Sequence, residues 1–253
     1  MLFQHRKEKI LNLLSESNTV RIHDLVTRIG ASESTIRRDL MTLEEEGLLT
    51  RVHGGATKVK NIGIEQKMSQ KESINHEIKV NIARYCSTLV KPSNQIYIDA
   101  GTATLELVRV LPNDKNIQIV TNGVDQALLA LQRGIGVTLL GGPVKQNTHA
   151  IAGLTAYQQL ERMNFSFAFI GMNGINFENG LTTTNLDEAM IKECAMQQSH
   201  KIRILMDDSK INHVYEFKVN APTQAIILLN KAAKINSPET IDKLTNHFDL
   251  HFI

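Results

Sequence analysis

Residues 32–47 read SESTIRRDLMTLEEEG. Ile36, Leu40 and Leu43 recur with the i, i+4, i+7 rhythm of one helical face, and Ser32, just before the run, is a side chain suited to capping a helix start. Turning about 100° per residue sends Ser34, Arg38 and Met41 to the opposite side, with Thr35 and Arg37 flanking them. The charge order is reversed for an isolated surface helix: two arginines come early and three glutamates late, against a dipole that favours acids first. That reversal costs a few tenths of a kcal/mol, which contact with an anion outside the helix can more than offset.

The flanking sequence supplies the context. Phe3 to Ser17 gathers Ile10, Leu11, Leu13 and Leu14 on one face. A second apolar cluster, Ile22, Leu25, Val26 and Ile29, stops at Gly30, the residue best suited to a helix C-terminus. Helix, helix, short turn, helix is the outline of a helix-turn-helix, whose last helix carries hydroxyls and guanidinium groups in its first two turns. Arginine there suits guanine and phosphate, and serine or threonine suits either; the glutamates fall where the helix leaves the groove. Beyond Gly47, LLTRVHGGATKV alternates around Gly-Gly as a short hairpin, a wing in which Arg51, His53 and Lys58 are candidates for phosphate or minor-groove contact. The expected DNA-binding residues are Ser32, Ser34, Thr35, Arg37, Arg38, Arg51 and His53. Residues 1–58 form this winged unit, polar residues 59–73 read as a linker, and residues 74–253 form a second domain.

Composition sets limits. The 253 residues carry 42% hydrophobic and 21% charged side chains, and a net charge of +2 excludes a polycation while permitting a local basic patch. No signal-peptide core or membrane span is visible, so a cytoplasmic location without membrane partners is expected. Cys86 and Cys194 stand apart, outside any CxxC or Cys/His cluster, and read as buried thiols. Neither cofactor nor metal is expected.

From Gln95 onward, β-branched runs alternate with helical ones: QIYID, IQIVT, VTLL, FAFIG, KIRILM, QAIILL and DLHFI, interleaved with amphipathic segments such as LDEAMIKECAMQQ. That order implies an α/β domain with a mostly parallel sheet, whose ligands bind beyond the carboxyl ends of the strands. Asp99 to Thr104, a strand-to-helix turn holding Gly101, Thr102 and Thr104, is a candidate phosphate cradle. Further loops follow apolar runs at Thr121 and Asn122, at Gly141 and Gly142, and at Asp207 to Lys210. There Asn122 is able to bond sugar hydroxyls, and Lys210 to neutralise phosphate.

TIRRDL at 35–40, LEEEG at 43–47 and RVHGGA at 51–56 resemble the N-terminal domain of the DeoR family of bacterial transcription regulators, and the resemblance continues through nearly the whole chain. It implies a C-terminal sensor domain similar in fold to ribose-5-phosphate isomerase, with Glu188 and Lys192 in the effector site. Two departures stand out: Ala103 where the family usually has threonine, and Asp208 in Asp-Asp-Ser-Lys where it usually has serine. The family implies a repressor of a sugar operon, a homodimer or homotetramer on double-stranded operator DNA, released by a phosphorylated sugar, with fructose 1-phosphate a candidate. A second reading makes the C-terminal domain a sugar-phosphate isomerase with an attached DNA-binding domain, using Asp99, Glu188 and Lys210 as acid-base groups. A third makes the N-terminal helices a protein-binding module.

Overall fold

The computed structural model describes residues 3–17, 19–45, 48–52, 54–58, 68–114 and 116–253. They divide into two units, Met1–Asn61 and Ile62–Ile253.

In the first unit the elements are α1 (Phe3–Ser17), β1 (Thr19–Arg21), α2 (Ile22–Ile29), α3 (Glu33–Glu45), β2 (Leu49–Val52) and β3 (Gly55–Lys58). The apolar faces read from the spacing close on one another: Ile10, Leu14, Leu25, Ile29, Ile36, Leu40, Leu43 and Leu49 form one buried cluster. Gly30 ends α2 in the left-handed region at φ 74°, where its N–H donates to the Val26 carbonyl at 2.9 Å. Ser32 caps α3 by accepting from the Thr35 amide at 3.3 Å. The wing is an antiparallel hairpin, Arg51 opposite Ala56 and Val52 opposite Gly55. A strand not expected from the sequence, β1, completes a three-stranded sheet in the order β1-β3-β2. That extra strand explains the second wing glycine, because a Cβ at Gly55 would sit 2.1 Å from the Val20 carbonyl oxygen.

The second unit opens with α4 (Met68–Ser73), which occupies the last six residues of the stretch read as linker, and α5 (His76–Leu89). Then follow β4 (Gln95–Ile98), α6 (Thr102–Val110), β5 (Gln118–Thr121), α7 (Val124–Gln132), β6 (Gly136–Leu139), α8 (Leu154–Leu160), β7 (Phe165–Gly171), β8 (Gly174–Asn176), β9 (Gly180–Thr183), α9 (Leu186–Gln197), β10 (Ser199–Leu205), β11 (Phe217–Val219), β12 (Ala225–Leu229), α10 (Ala233–Asn236), α11 (Pro238–Thr245) and β13 (Asp249–Phe252). Seven strands form a wholly parallel sheet in the order β13-β12-β10-β7-β4-β5-β6. Helices cover both faces, which is why the strands read as near-continuous apolar runs. Along β7, Phe167 and Phe169 join the cluster containing Ile82, Cys86, Leu107 and Val108, while Ala168 and Ile170 join the one containing Ala156, Ile191, Ile241 and Leu244. A separate antiparallel sheet, β11-β9-β8, lies in segments whose short strands do not stand out from loop in the sequence.

The strand order locates the site. Successive strands β4, β5 and β6 run outward to one side of β4, and β7 then returns to its other side, so the topology switches between β4 and β7. In open parallel sheets the crevice beyond the carboxyl ends at such a point is where ligands bind.

Candidate DNA-reading helix and effector pocket

On α3 the buried and exposed sectors fall as the spacing requires. Ile36, Leu40 and Leu43 are buried, whereas Ser32, Ser34, Arg37, Arg38 and Met41 are exposed and Thr35 is half-buried. The two arginines differ. Arg37 reaches back one turn to Glu33, with Nε and Nη2 at 2.9 and 2.6 Å from Oε1, whereas Arg38 has no side-chain hydrogen bond or ion pair among the described residues. Ser32 Oγ lies 3.1 Å from Ser34 Oγ and 2.8 Å from Thr35 Oγ1, so three hydroxyls cluster at the helix start. On the wing, the Arg51 amide donates to Glu44 at 2.8 Å and its guanidinium lies 3.8 Å from the same carboxylate. At least one of the late glutamates therefore fastens the wing to α3. His53 and the side chain of Lys58 lie outside the described residues.

One feature of α3 escaped the sequence reading. Asp39 falls in the apolar sector and is buried, held in a two-pronged pair by Arg6 of α1, with Nε–Oδ2 at 2.6 Å and Nη2–Oδ1 at 2.9 Å. The signal was available: Asp39 lies three residues after Ile36 and four before Leu43.

In the second unit a pocket opens at the switch point. Its walls include Ala100 to Ala103, Gly171 to Asn173, Thr148, Glu188, Lys192, Asp207 and Lys210, and its empty space, open mouth included, is about 620 Å³. Asp99, just past β4 and expected to face a ligand, is buried and does not itself line the pocket: its carboxylate forms an ion pair with Lys192, which does, and accepts from the Gly171 amide, at the end of β7, at 3.0 Å. Burial pushes the Asp99 carboxyl above its usual range, while Lys192 and the amides of Gly171 and Ala100 pull it back. Glu188, also buried, accepts from the Thr148 hydroxyl at 3.2 Å and lies 3.5 Å from the Lys145 ammonium.

The first turn of α6 presents Gly101, Thr102 and Ala103 to the pocket, where the initial amides of a helix have no partner within it. Gly101 is extended, and a Cβ there would meet only Thr104 Oγ1 at 3.4 Å, so no strain demands glycine at that position. Thr104, expected to face a ligand, is fully buried and donates to the carbonyls of Asp99 and Gly101 at 2.6 and 2.9 Å. Asn122 is likewise enclosed: its Oδ1 accepts from the Tyr97 hydroxyl and the Ala100 amide, each at 2.9 Å, and its Nδ2 donates to the Ile151 carbonyl at 3.1 Å. Thr121 accepts from the Gly123 amide at 3.0 Å. Gly141 donates to Gln159 at 2.9 Å, and Gly142, at φ 140°, turns the chain where other residues are strained. Neither these two glycines nor Thr104, Thr121 and Asn122 line the pocket; they shape the loops around it.

The residue departing from the family pattern at 208 is turned aside. The Asp208 carboxylate accepts from Asn236 at 2.6 Å and does not line the pocket, leaving Lys210 there with Asp207. Two lysines not foreseen from the sequence, Lys71 and Lys79, complete the wall. Burial lowers the pKa of Lys79 and of Lys210, with Asp207 opposing the shift in both. Cys86 and Cys194 are buried free thiols, pushed above the usual thiol range by that burial. Among the described residues no group of His, Cys, Asp and Glu stands close enough to hold a metal ion, and no helix is long and apolar enough to cross a membrane.

Comparison with known proteins agrees with both units. Residues 6–61 match the DeoR-like helix-turn-helix domain and residues 74–229 the DeoR C terminal sensor domain. The chain is 40% identical over 214 residues, 85% of each chain, to the "Uncharacterized HTH-type transcriptional regulator FruR" of Bacillus subtilis. It is 39% identical, over 83% of each chain, to the HTH-type transcriptional regulator GlpR of Haloferax volcanii. It is 32% identical, again over 83% of each chain, to the lactose phosphotransferase system repressor of Lactococcus lactis. Ribose 5-phosphate isomerase A of Methanocaldococcus jannaschii aligns with 54% of this chain and 55% of its own at 17% identity and a TM-score of 0.41, a distance at which nothing about activity follows. With a sensor-domain match over more than half its length and relatives named as regulators across four-fifths of it, the chain belongs to the DeoR family of transcriptional regulators.

Proposed function

We infer that this regulator represses a sugar-uptake or sugar-catabolic operon and releases its operator when a phosphorylated sugar enters the pocket between β4 and β7. The observation that carries the reading is the pocket's chemistry. Glu188 and Lys192 in the lining, the latter held by the buried Asp99 behind it, suit a polyol, while the α6 amides and Lys210 suit a phosphoryl group. Relatives named FruR and lactose phosphotransferase system repressor favour sugars imported with phosphorylation, and fructose 1-phosphate is the first candidate. The protein works in the cytoplasm, where both DNA and phosphorylated sugars are found. A homodimer or homotetramer places two recognition helices on half-sites about 34 Å apart.

On the DNA side, Arg37, Arg38 and the hydroxyls of Ser32, Ser34 and Thr35 enter the major groove, and Arg51 and His53 of the wing touch the backbone. The isomerase reading is not favoured. Its proposed base, Asp99, is already paired with Lys192 and bonded to an amide, and the relatives are named as regulators. A melting screen tests the effector: fructose 1-phosphate is expected to raise the melting temperature, because a ligand bound only by the folded state stabilises it. A rise with unphosphorylated fructose but with no sugar phosphate would refute the assignment.

A further inference from the structure

The parallel sheet of the second unit has two outer strands, β6 and β13, and they are finished differently. β13 carries Asp249 and His251, 3.3 Å apart, and the Lys234 ammonium sits 4.2 Å from the centre of the Phe252 ring. Charge of this kind keeps a strand that stays at an edge from pairing with another chain. β6 has none: GIGVTLLGGPV, residues 134–144, contains no ionisable side chain. The Leu140 amide donates inward to the Thr121 carbonyl of β5 at 2.9 Å, so alternation along the strand turns the N–H and C=O groups of Val137 and Leu139 outward. Among the described residues neither has a hydrogen-bond partner on that side. The next outward amide, that of Gly141, is taken by Gln159 at 2.9 Å, which marks the end of the open edge.

Apolar side chains flank this edge on both faces of the sheet. Val137 packs in the cluster that holds Leu107 and Ala130, and Leu139, two residues on and so on the same face, is exposed. α7, which packs against β6, exposes Leu128 and Leu131. Toward the other face, where Ala156 and Leu160 of α8 are buried, Val144 and Leu154 stand exposed. An apolar band across the thickness of a sheet, beside a row of unpaired backbone groups, marks a surface made for contact.

We propose that the β6 edge is an interface between two copies of this chain, the two strands meeting antiparallel across a two-fold axis and joining the sheets. The charge pattern selects the occupant. Across such an axis a patch meets itself, so a charge near the axis would face its own kind, whereas apolar side chains and strand N–H and C=O groups match themselves. Setting Val137 against the partner's Leu139 brings outward residues into register, and each such pair exchanges both of its N–H···O bonds. A four-residue strand pairs weakly by itself. Leu131 and Leu139 on one face, with Val144 and Leu154 on the other, add the apolar area. The inference places a contact within the dimer or tetramer of the proposed function, and rests on that reading only for the existence of an assembly.

The test is mass in solution by sedimentation, together with hydrogen exchange, on the full chain. In the wild type the amides of residues 136–139 are protected, and their protection falls on dilution as the copies separate. Leu139→Lys sets a charge beside its own copy. With circular dichroism like that of the wild type, it is expected to weaken association at least tenfold, halving the mass at a concentration where the wild type is assembled, and to speed exchange in residues 136–139. If Leu139→Lys fails to fold, Leu131→Glu, at a position 65% exposed, carries the test with the same expected result. Unchanged mass in the folded variant, or exchange in residues 136–139 equal to that of the wild type, would overturn the proposal while leaving an assembly through another surface intact. A wild-type mass of one chain at every concentration would remove the assembly and the proposal with it.

Discussion

Arg37 and Arg38 are neighbours in sequence with different surroundings, and this sets different expectations for them. Arg37 must give up an exposed pair with Glu33, a pair worth less than about 1 kcal/mol, before it meets phosphate; Arg38 has no such partner among the described residues. Arg38→Ala is therefore expected to weaken duplex binding more than Arg37→Ala, and to flatten the salt dependence by about one unit if it serves a phosphate. Anisotropy titrations at several salt concentrations measure both. Buried pairs answer to a different rule. Lys192→Met leaves the Asp99 carboxylate buried without its cation and is expected to cost about 3–5 kcal/mol in urea unfolding, since removing one partner exposes the desolvation cost of the other. The lysines of the pocket set a pH dependence. Lys79 faces Asp207, Lys210, Glu106 and Glu72, Lys210 faces Asp207 and Lys71, and burial lowers both ammonium pKa values. A phosphate dianion forms above about pH 6. Effector affinity is thus expected to rise through that pH and to fall again as the lysines lose their protons, before the ordinary lysine value of about 10.4 is reached. Calorimetry across that span, from mildly acidic to alkaline buffer, checks this, and a flat alkaline limb contradicts it.

At the scale of elements the wing gives a clean test. Gly55→Ala drives a methyl group against the Val20 carbonyl and is expected to break β1 from β3, loosening the first unit while the second melts as in the wild type. Two transitions by calorimetry, with only one shifted, is the expected outcome. The structure also explains what was legible in advance. The helices and parallel strands announced themselves because periodicity is a local property: Ile36, Leu40 and Leu43 on α3, and the apolar runs of β4, β5, β7, β10 and β12. What escaped depends on distant partners. β1 is three residues long and is a strand only because β3 lies beside it. α4 lies in a polar stretch and is held by Asn147 and Lys79. Within the site, Gly101, Thr102, Glu188, Lys192 and Lys210 line the pocket, but Thr104 and Asn122, whose side chains suit sugar as well as any, are matched by backbone partners that sequence does not display. Lys79 gave no sign, since a lysine in an amphipathic helix reads as a surface charge until the fold buries it.

For the whole molecule, the proposed function makes DNA binding by α3 and effector binding in the pocket parts of one equilibrium. If the effector weakens operator binding by some factor, operator DNA must weaken effector binding by the same factor. Calorimetric titration of fructose 1-phosphate with and without saturating operator is expected to give equal factors, and a ligand affinity untouched by DNA would mean that the two sites are uncoupled. Beneath that linkage lies the claim that α3 reads duplex DNA through its early arginines. The direct measurement is binding of a duplex from upstream of the gene by the wild type and by an Arg37→Ala/Arg38→Ala variant of unchanged melting temperature, across rising salt. Weaker binding with a slope shallower by about 1.8, from about 0.9 for each phosphate no longer neutralised, is the predicted result. Equal affinity and equal slope would contradict it.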